Sequence, residues 1–426
     1  MEFDIELVKA LQVLDSRGNP TVEVLVITEA GGFGRAIAPA GASRGKEEAV
    51  DLRDGGSDYG GMGVRKAVES VNKYIAPAIT GMSTYHYRAI DRKMIEVDGT
   101  PNKSKLGGNA TTATSLAVIK AASDTAGIPL FEFLGGRRAR YLPVPMMNVL
   151  NGGVHAGNGL SIQEFMIVPY GADTFTEALK MAVEVYKALK NYLKETYGPA
   201  SINVGDEGGF APPLSKTQDA LTALEKAIEL SGYDVEGEIG IALDAAATQF
   251  YDDSRKKYFI DGEWLTPEEL LEHYEELLNA HRIVSFEDPF GEAHPEMFGA
   301  LKDKAHETLI IGDDITVTKA SLIEKHFLQG YIDGAIIKVN QIGTFTEAEE
   351  AIDLLMMRGG KAIISHRSGE TEDTTIAHIA VGCSAPFIKG GAPARGERTA
   401  KYNELLRIED YLGGDAIYVG EKAFSR

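Results

Sequence analysis

Ile239-Gly-Ile-Ala-Leu-Asp244, Ile283-Val-Ser-Phe-Glu287, Leu309-Ile-Ile-Gly-Asp313, Ala335-Ile-Ile-Lys338, Ala362-Ile-Ile-Ser-His-Arg-Ser368 and Ala385-Pro-Phe-Ile-Lys389 are six short apolar runs that stop on charged side chains. After a first interval of 43 residues, from 244 to 287, the charged ends recur at steps of 26, 25, 28 and 23. A strand, a loop and an amphipathic helix together take about that length in an alternating β/α chain. The pattern predicts a β/α barrel, and charges at such strand ends converge on the face where barrel active sites are built. Three carboxylates, two lysines, an arginine and a histidine aimed at one mouth suit metal-assisted chemistry on an anion.

The 426 residues are 44% apolar, enough to bury a large core in two domains. The formal charge of −20 disfavours nucleic acid and anionic membrane as partners, since phosphate polymers need a basic footprint. An anionic substrate then needs a locally positive site, which bound divalent cations would supply. The lone Cys383 excludes a disulfide framework and a four-cysteine zinc site, and its apolar setting reads as an inert thiol. Met1–Ala10 carries Glu2, Asp4 and Glu6 and lacks the build of a signal peptide. No apolar run approaches the roughly 18 residues of a membrane span. A soluble, cytoplasmic protein is expected.

The first third does not alternate. Leu7–Leu14, Thr21–Thr28 and Phe33–Pro39 read as strands, and Lys46–Leu52, Val64–Ile79, Tyr85–Val97 and Ala110–Ala126 as helices. That order predicts a small α+β domain over residues 1–137, ahead of a barrel domain over residues 138–426. In the barrel, Asp173–Tyr197, Thr217–Ser231 and Thr344–Arg358 are expected helices, and Thr266-Pro-Glu-Glu269 is a capping box. Arg398–Tyr411 is expected to pack outside the barrel. Only a polar Gly/Asn loop separates the strand candidates Pro143–Leu150 and Gln163–Pro169, so these two are expected to run antiparallel.

Asp244, Glu287 and Asp313 would repel one another at interior strand ends, so either cations pair with them or their pKa values rise. Hard oxygen ligands from separate strands suit Mg²⁺; the alternative is structural ion pairing with lysines. Asp288 and Asp314 are expected on the other face, because strand side chains alternate. Lys338 sits in an otherwise apolar strand, where a lysine near metal charge and low dielectric has a lowered pKa and can act as a base; the alternative, a lysine snorkelling to a loop, is awkward in a buried strand. Lys389 is a second base candidate or an electrostatic clamp, and spacing does not separate the two roles. His366, Arg367 and Ser368 offer a guanidinium, a hydroxyl and backbone amides suited to phosphate. Glu207 lies in a glycine-rich turn and Glu164 follows Gln163; such a carboxyl pair can share a proton, or each can be an exposed turn residue. The Asn151–Asn158 run is expected to give His155 a flexible setting; the alternative is a plain loop histidine. The Pro39–Glu47 stretch misses the P-loop spacing and suits a mobile cover for the barrel mouth.

Asp15-Ser-Arg-Gly-Asn-Pro-Thr-Val-Glu-Val, Gly41-Ala-Ser, Asn151-Gly-Gly-Val-His-Ala-Gly-Asn, Gln163-Glu-Phe-Met and Gly205-Asp-Glu-Gly-Gly occur in order. Ser285-Phe-Glu-Asp-Pro-Phe, Gly312-Asp-Asp, Lys338-Val-Asn-Gln-Ile-Gly-Thr, Ser365-His-Arg-Ser-Gly-Glu-Thr-Glu-Asp and Ala400-Lys-Tyr-Asn follow. Over essentially its whole length the chain resembles the enolase family, the phosphopyruvate hydratases of glycolysis. The resemblance implies a modified TIM-type β/α barrel, second strand antiparallel, with a smaller N-terminal α+β domain. It also implies a homodimer or an assembly of dimers, and Mg²⁺-dependent dehydration of 2-phosphoglycerate to phosphoenolpyruvate. By motif, Asp244, Glu287 and Asp313 would hold one Mg²⁺, and Ser43 would reach a second that arrives with substrate. Lys338 would be the C2 base and Glu207 the acid at C3, with Glu164 beside it. Arg367 and Ser368 would grip phosphate and Lys389 the carboxylate side, while His155, Gln163 and His366 line the pocket. Ala40, Arg44 and Gly390 depart from the serine, threonine and threonine frequent in the family, and touch no proposed ligand or proton-transfer group. The alternative is another acid-sugar dehydratase or racemase of the same superfamily, against which Arg367–Ser368 and the Ser43 loop stand.

Overall fold

The computed structural model describes residues 2–41, 45, 47–153 and 156–425. The N-terminal part is an antiparallel sheet of β1 (Ile5–Leu14), β2 (Pro20–Thr28) and β3 (Phe33–Ile37), in that order. Its inner face packs on the helix Gly108–Ala126, whose residues are nearly all buried. The approach is close: a Cβ on Gly34 would lie 1.9 Å from the Ala117 carbonyl oxygen, so only glycine fits there. The expected helix over Lys46–Leu52 is absent among the described residues 47–52. Those amides are used elsewhere: Ala49 N–H donates to Gln341 O (2.7 Å) and Val50 N–H to Asn102 O (2.8 Å). A segment that bridges two other parts of the chain has no amides left for a helix.

Eight further strands close a barrel: β4 (Val144–Asn151), β5 (Glu164–Val168), β6 (Gly240–Asp244), β7 (Ile283–Glu287), β8 (Leu309–Gly312), β9 (Gly334–Ile337), β10 (Lys361–Ser365) and β11 (Phe387–Lys389). The order round the barrel is β7-β8-β9-β10-β11-β4-β5-β6. β5 alone runs against both neighbours, β4 and β6; the other pairings are parallel. The polar connection between them carries no α-helix among its described residues, and a parallel pair needs a crossover of that kind, so the reversal follows. The reversal also sets the site. Glu164, the first residue of β5, pairs with Asn151 and Asp244, the last residues of β4 and β6, so its side chain emerges at the mouth. The helices run close to expectation, at Phe175–Tyr197, Thr217–Leu230 and Phe345–Met357, and Thr266 and Glu269 form the capping box.

A buried acid joins the two parts. Asp91, in the helix Tyr87–Asp98, accepts hydrogen bonds at Oδ2 from Thr346 N–H (3.0 Å), Thr346 Oγ1 (2.6 Å) and Ser115 Oγ (2.9 Å). It thereby caps the start of the barrel helix Phe345–Met357, whose first amides lack helical partners. Lys103 and Glu347 add an ion pair of 2.6 Å beside it. Burial pushes the Asp91 carboxyl up to about 6, with the Thr346 and Ser115 hydrogen bonds opposing. An acid whose folded pKa is raised lowers stability as pH climbs from the unfolded value near 4 through 6, because the native state then holds a proton that the unfolded chain has released. Asp91→Asn removes that contribution. Its stability deficit relative to wild type, measured by urea denaturation, should therefore shrink between pH 4 and pH 6. A deficit that stays constant would show that Asp91 does not titrate in that window. Asp91→Ala, which takes the acceptor from the Thr346 N–H and from two hydroxyl protons, should cost about 1–3 kcal/mol at pH 7.

Candidate active site

The strand ends deliver their charges to one cavity. It has about 460 Å³ of empty space open to solvent, and Gln163, Glu164, Glu207, Asp244, Asp313, Lys338, His366, Arg367, Ser368 and Lys389 all line it. Glu287 adjoins them, since Lys389 Nζ donates both to Glu287 Oε2 (2.7 Å) and to Asp244 Oδ2 (2.8 Å). The same ammonium lies 3.2 Å from Glu164 Oε1. Lys338 Nζ donates to Asp313 Oδ2. Ser43 and His155 lie outside the described residues.

Asp288 and Asp314 also line this cavity, against expectation. The alternation of β7 stops at its end: Asp288 has a φ of 42°, which swings its side chain back to the mouth. There it accepts the backbone N–H groups of Asp313 and Asp314, both at 2.8 Å. Seven carboxylates, those of Glu164, Glu207, Asp244, Glu287, Asp288, Asp313 and Asp314, thus gather around the cations Lys338, Lys389 and Arg367. Their titration records the crowding. Burial and the charge of Glu207 push Glu164 up; burial and Asp244 push Glu287 up. Burial and Asp314 do the same to Asp288, while burial and Asp313 raise Asp314 to about 7. Asp313 is the exception: burial alone would raise it, but Lys338 holds it below the usual carboxylate range.

That contact sets the charge of Lys338 where no cation shares Asp313. Burial favours its neutral form, yet the Asp313 and Glu287 carboxylates together outweigh it and the pKa is raised. A base at this position needs the charge of Asp313 to be met by another cation. The donor set fits a hard divalent ion. The surplus ligands are all oxygens, and Glu287 Oε1 and Glu164 Oε2 are buried without a hydrogen-bond partner. Among the described residues, two groups bring three ligand atoms within 4.8 Å: Asp288 with Asp313 and Asp314, and Glu164 with Glu207 and His366. The expected set of Asp244, Glu287 and Asp313 is not drawn that close, because Lys389 stands between the first two and Lys338 holds the third.

Arg367 is buried and pairs with Glu48 at 3.1 Å, while its Nη1 also donates to Asn340 Oδ1 at 3.1 Å. The N-terminal part therefore reaches the group expected to hold phosphate. Asn148 Nδ2 donates to Glu207 Oε2 at 3.0 Å. Arg398 was not foreseen. It is fully buried on the helix Gly396–Leu412 and donates to the carbonyls of Arg367 (2.6 Å), Ser368 (2.6 Å) and Asp206 (3.0 Å). Its Nη1 also donates to His366 Nδ1 at 2.7 Å. A signal existed: Arg398 and Lys401 fall on the same face as Tyr402, Leu405 and Ile408, an apolar stripe where an unpaired cation would not be tolerated. Because arginine only donates, Nδ1 of His366 must accept, and the ring proton sits on Nε2, 3.6 Å from Glu207 Oε2. Burial keeps this imidazole neutral.

The fold and site define a β/α-barrel enzyme whose acidic mouth is built for cations and an anionic substrate. Residues 5–134 match the family model described as "Enolase, N-terminal domain", and residues 139–426 match "Enolase, C-terminal TIM barrel domain". The chain is 52% identical to the enolase of Methanothrix thermoacetophila over 425 residues, covering 100% of both chains. It is 52% identical to that of Aeropyrum pernix (98% of this chain, 97% of the relative) and 53% identical to that of Methanocaldococcus jannaschii (96% of each). This chain belongs to the enolase family. Its activity is that of a phosphopyruvate hydratase, a carbon–oxygen lyase of glycolysis.

The His366 tautomer can be read directly. Imidazole ¹⁵N shifts should report a neutral ring protonated at Nε2 from pH 5.5 to 8; a cationic ring, or a proton on Nδ1, would contradict the Arg398 contact. Arg398→Ala, which strips three buried carbonyls of their donor, should lower stability by about 3 kcal/mol in chemical denaturation.

Proposed function

We propose that Lys338 removes the C2 proton of 2-phosphoglycerate and that Glu207, with Glu164 beside it, protonates the departing C3 hydroxyl to give phosphoenolpyruvate. One observation carries this division of labour. Lys338 follows β9 and Glu164 opens β5, and these strands lie four places apart in a closed ring of eight, so base and acid face each other across the mouth. A proton can leave one face of the substrate while hydroxide leaves the other. Burial and the Glu207 charge push Glu164 up, which supports a proton retained on the Glu164–Glu207 pair for donation. Neutral His366, with Nε2–H toward Glu207, orients that acid.

Asp244, Glu287 and Asp313 would hold one Mg²⁺, and Ser43 would reach a second. When bound, the two ions supply positive charge against the enolate that forms beside the substrate carboxylate. Lys389 then clamps the carboxylate side, Arg367 and Ser368 take the phosphate, and Gln163 and His155 close the pocket. Phosphate binding requires Arg367 to exchange some of its contact with Glu48 for the ligand.

The domain boundary at 137/138 and a cytoplasmic location belong to the same reading. Among the described residues no helix is long and apolar enough to cross a membrane. A homodimer or assembly of dimers is supported by Leu7, Leu11 and Leu14, which stand exposed along β1.

Turnover of 2-phosphoglycerate, followed by ultraviolet absorbance of the product, should vanish on chelation and return with Mg²⁺. Lys338→Ala should abolish exchange of the C2 proton with solvent. Glu207→Gln should lower turnover by a factor of at least about 10² while exchange persists. Equal loss of exchange in both variants would overturn the assignment of base and acid.

A further inference from the structure

Between β8 and the helix that follows it, the chain makes a turn that the reaction as described does not use. Val317 and Thr318 have φ values of 42° and 57°. Two consecutive β-branched residues in the left-handed region are strained, and such backbone persists only where its surroundings over-determine it. A glycine pair would adopt this path freely, so the side chains account for the choice. Val317 packs on Gly45, where a Cβ would come within 2.6 Å of its Cγ1. Thr318 is fully buried, and its hydroxyl has two partners: it accepts the backbone N–H of Lys338 (2.9 Å) and donates to Gln341 Oε1 (2.7 Å).

Gln341, one turn beyond Lys338, is also buried. Its amide orientation is unambiguous, because its Nε2 faces two acceptors: Asp313 Oδ1 at 2.9 Å and Glu48 Oε1 at 3.3 Å. Asp313 Oδ2 in turn accepts from Lys338 Nζ. The hydrogen bonds therefore close a ring, from Lys338 through Thr318 and Gln341 to Asp313 and back to Lys338. Every member has a directional role, and the second amide proton of Gln341 ties the ring to Glu48, the partner of Arg367.

We propose that Thr318 and Gln341 are positioning residues for the reaction, an inference that rests on the roles of Lys338 and Asp313 given above. Thr318 fixes the backbone from which the Lys338 side chain projects. Gln341 holds one oxygen of Asp313, so that the other faces the cation or the lysine. A ligand held from behind in this way binds metal more tightly, and loss of such a partner typically costs 10–100-fold in metal affinity or activity.

The experiment uses the full-length enzyme with two readouts. Thr318→Val keeps the shape and removes the hydroxyl; kcat should fall at least about 10-fold, with KM for 2-phosphoglycerate changed less than about 3-fold. Thr318→Ser, which restores the hydroxyl, should recover most of the loss. Gln341→Met should weaken Mg²⁺ binding to the substrate-free enzyme about 10-fold by calorimetry, with the fold intact by circular dichroism. The positioning role is overturned if Thr318→Val turns over as wild type does, or if Thr318→Ser falls as far as Thr318→Val, which would mean that restoring the hydroxyl restores nothing. It is equally overturned if Gln341→Met binds Mg²⁺ as wild type does. Absence of turnover in the wild-type enzyme would instead sink the proposed reaction, and the calorimetry would still decide the role of Gln341. Should Thr318→Val fail to fold, the Gln341→Met titration alone decides.

Discussion

Crowding of like charge at the barrel mouth is the constraint from which the rest of this structure follows. Seven largely buried carboxylates share this mouth, held by cations, by amide donors such as the Asp313 and Asp314 N–H groups on Asp288, and by raised pKa values. Lys389 serves three of them and Lys338 one. The cost of taking these charges from water exceeds what their pairing returns unless each is well partnered. Such an arrangement is a poor device for stability and a good one for function, because it leaves oxygens that a divalent cation can claim. The overall charge of −20 is thus no obstacle to an anionic substrate, since the local surplus of carboxylate oxygens could hold a divalent cation.

The N-terminal part does more than cap the barrel. Glu48 reaches Arg367, Gly369 and Ala40 exchange backbone hydrogen bonds at 2.8 and 2.9 Å, and Ser16 N–H donates to Glu370 O at 2.7 Å. These contacts fall on the same loop after β10 that Arg398 grips from the other side. Arg367 and Ser368 therefore lie between two supports from distant parts of the chain. Preorganisation of this kind is what electrostatic catalysis requires.

Much of this was legible in the residues. The strand ends were readable because an interior strand that stops on a charge has few structural explanations, and the short Gly/Asn loop announced the reversal of β5. Three features were not readable, each for a physical reason. Asp288 turned inward because one residue took a left-handed φ, which no alternation rule can foresee. The stretch 47–52 has helical composition but bonds to Gln341, Asn102 and Asn109, so tertiary partners overrode local preference. Lys338 pairs with Asp313, which raises the lysine's pKa, and the spacing of the strand ends along the chain does not say which charges touch.

The barrel closes by pairing β11 with β4, Phe387 against Val144 and Lys389 against Met146. Those partners stand at opposite ends of the barrel sequence, so the ring cannot shut until nearly the whole polypeptide has left the ribosome. The β4–β5 hairpin can form early, since its partners are close in sequence, whereas the last seam is among the most non-local contacts in the molecule. Until that seam forms, the acidic strand ends stay hydrated and apart. A truncated or half-made chain thus carries most of the reactive groups yet no assembled pocket, and activity arrives all at once with closure.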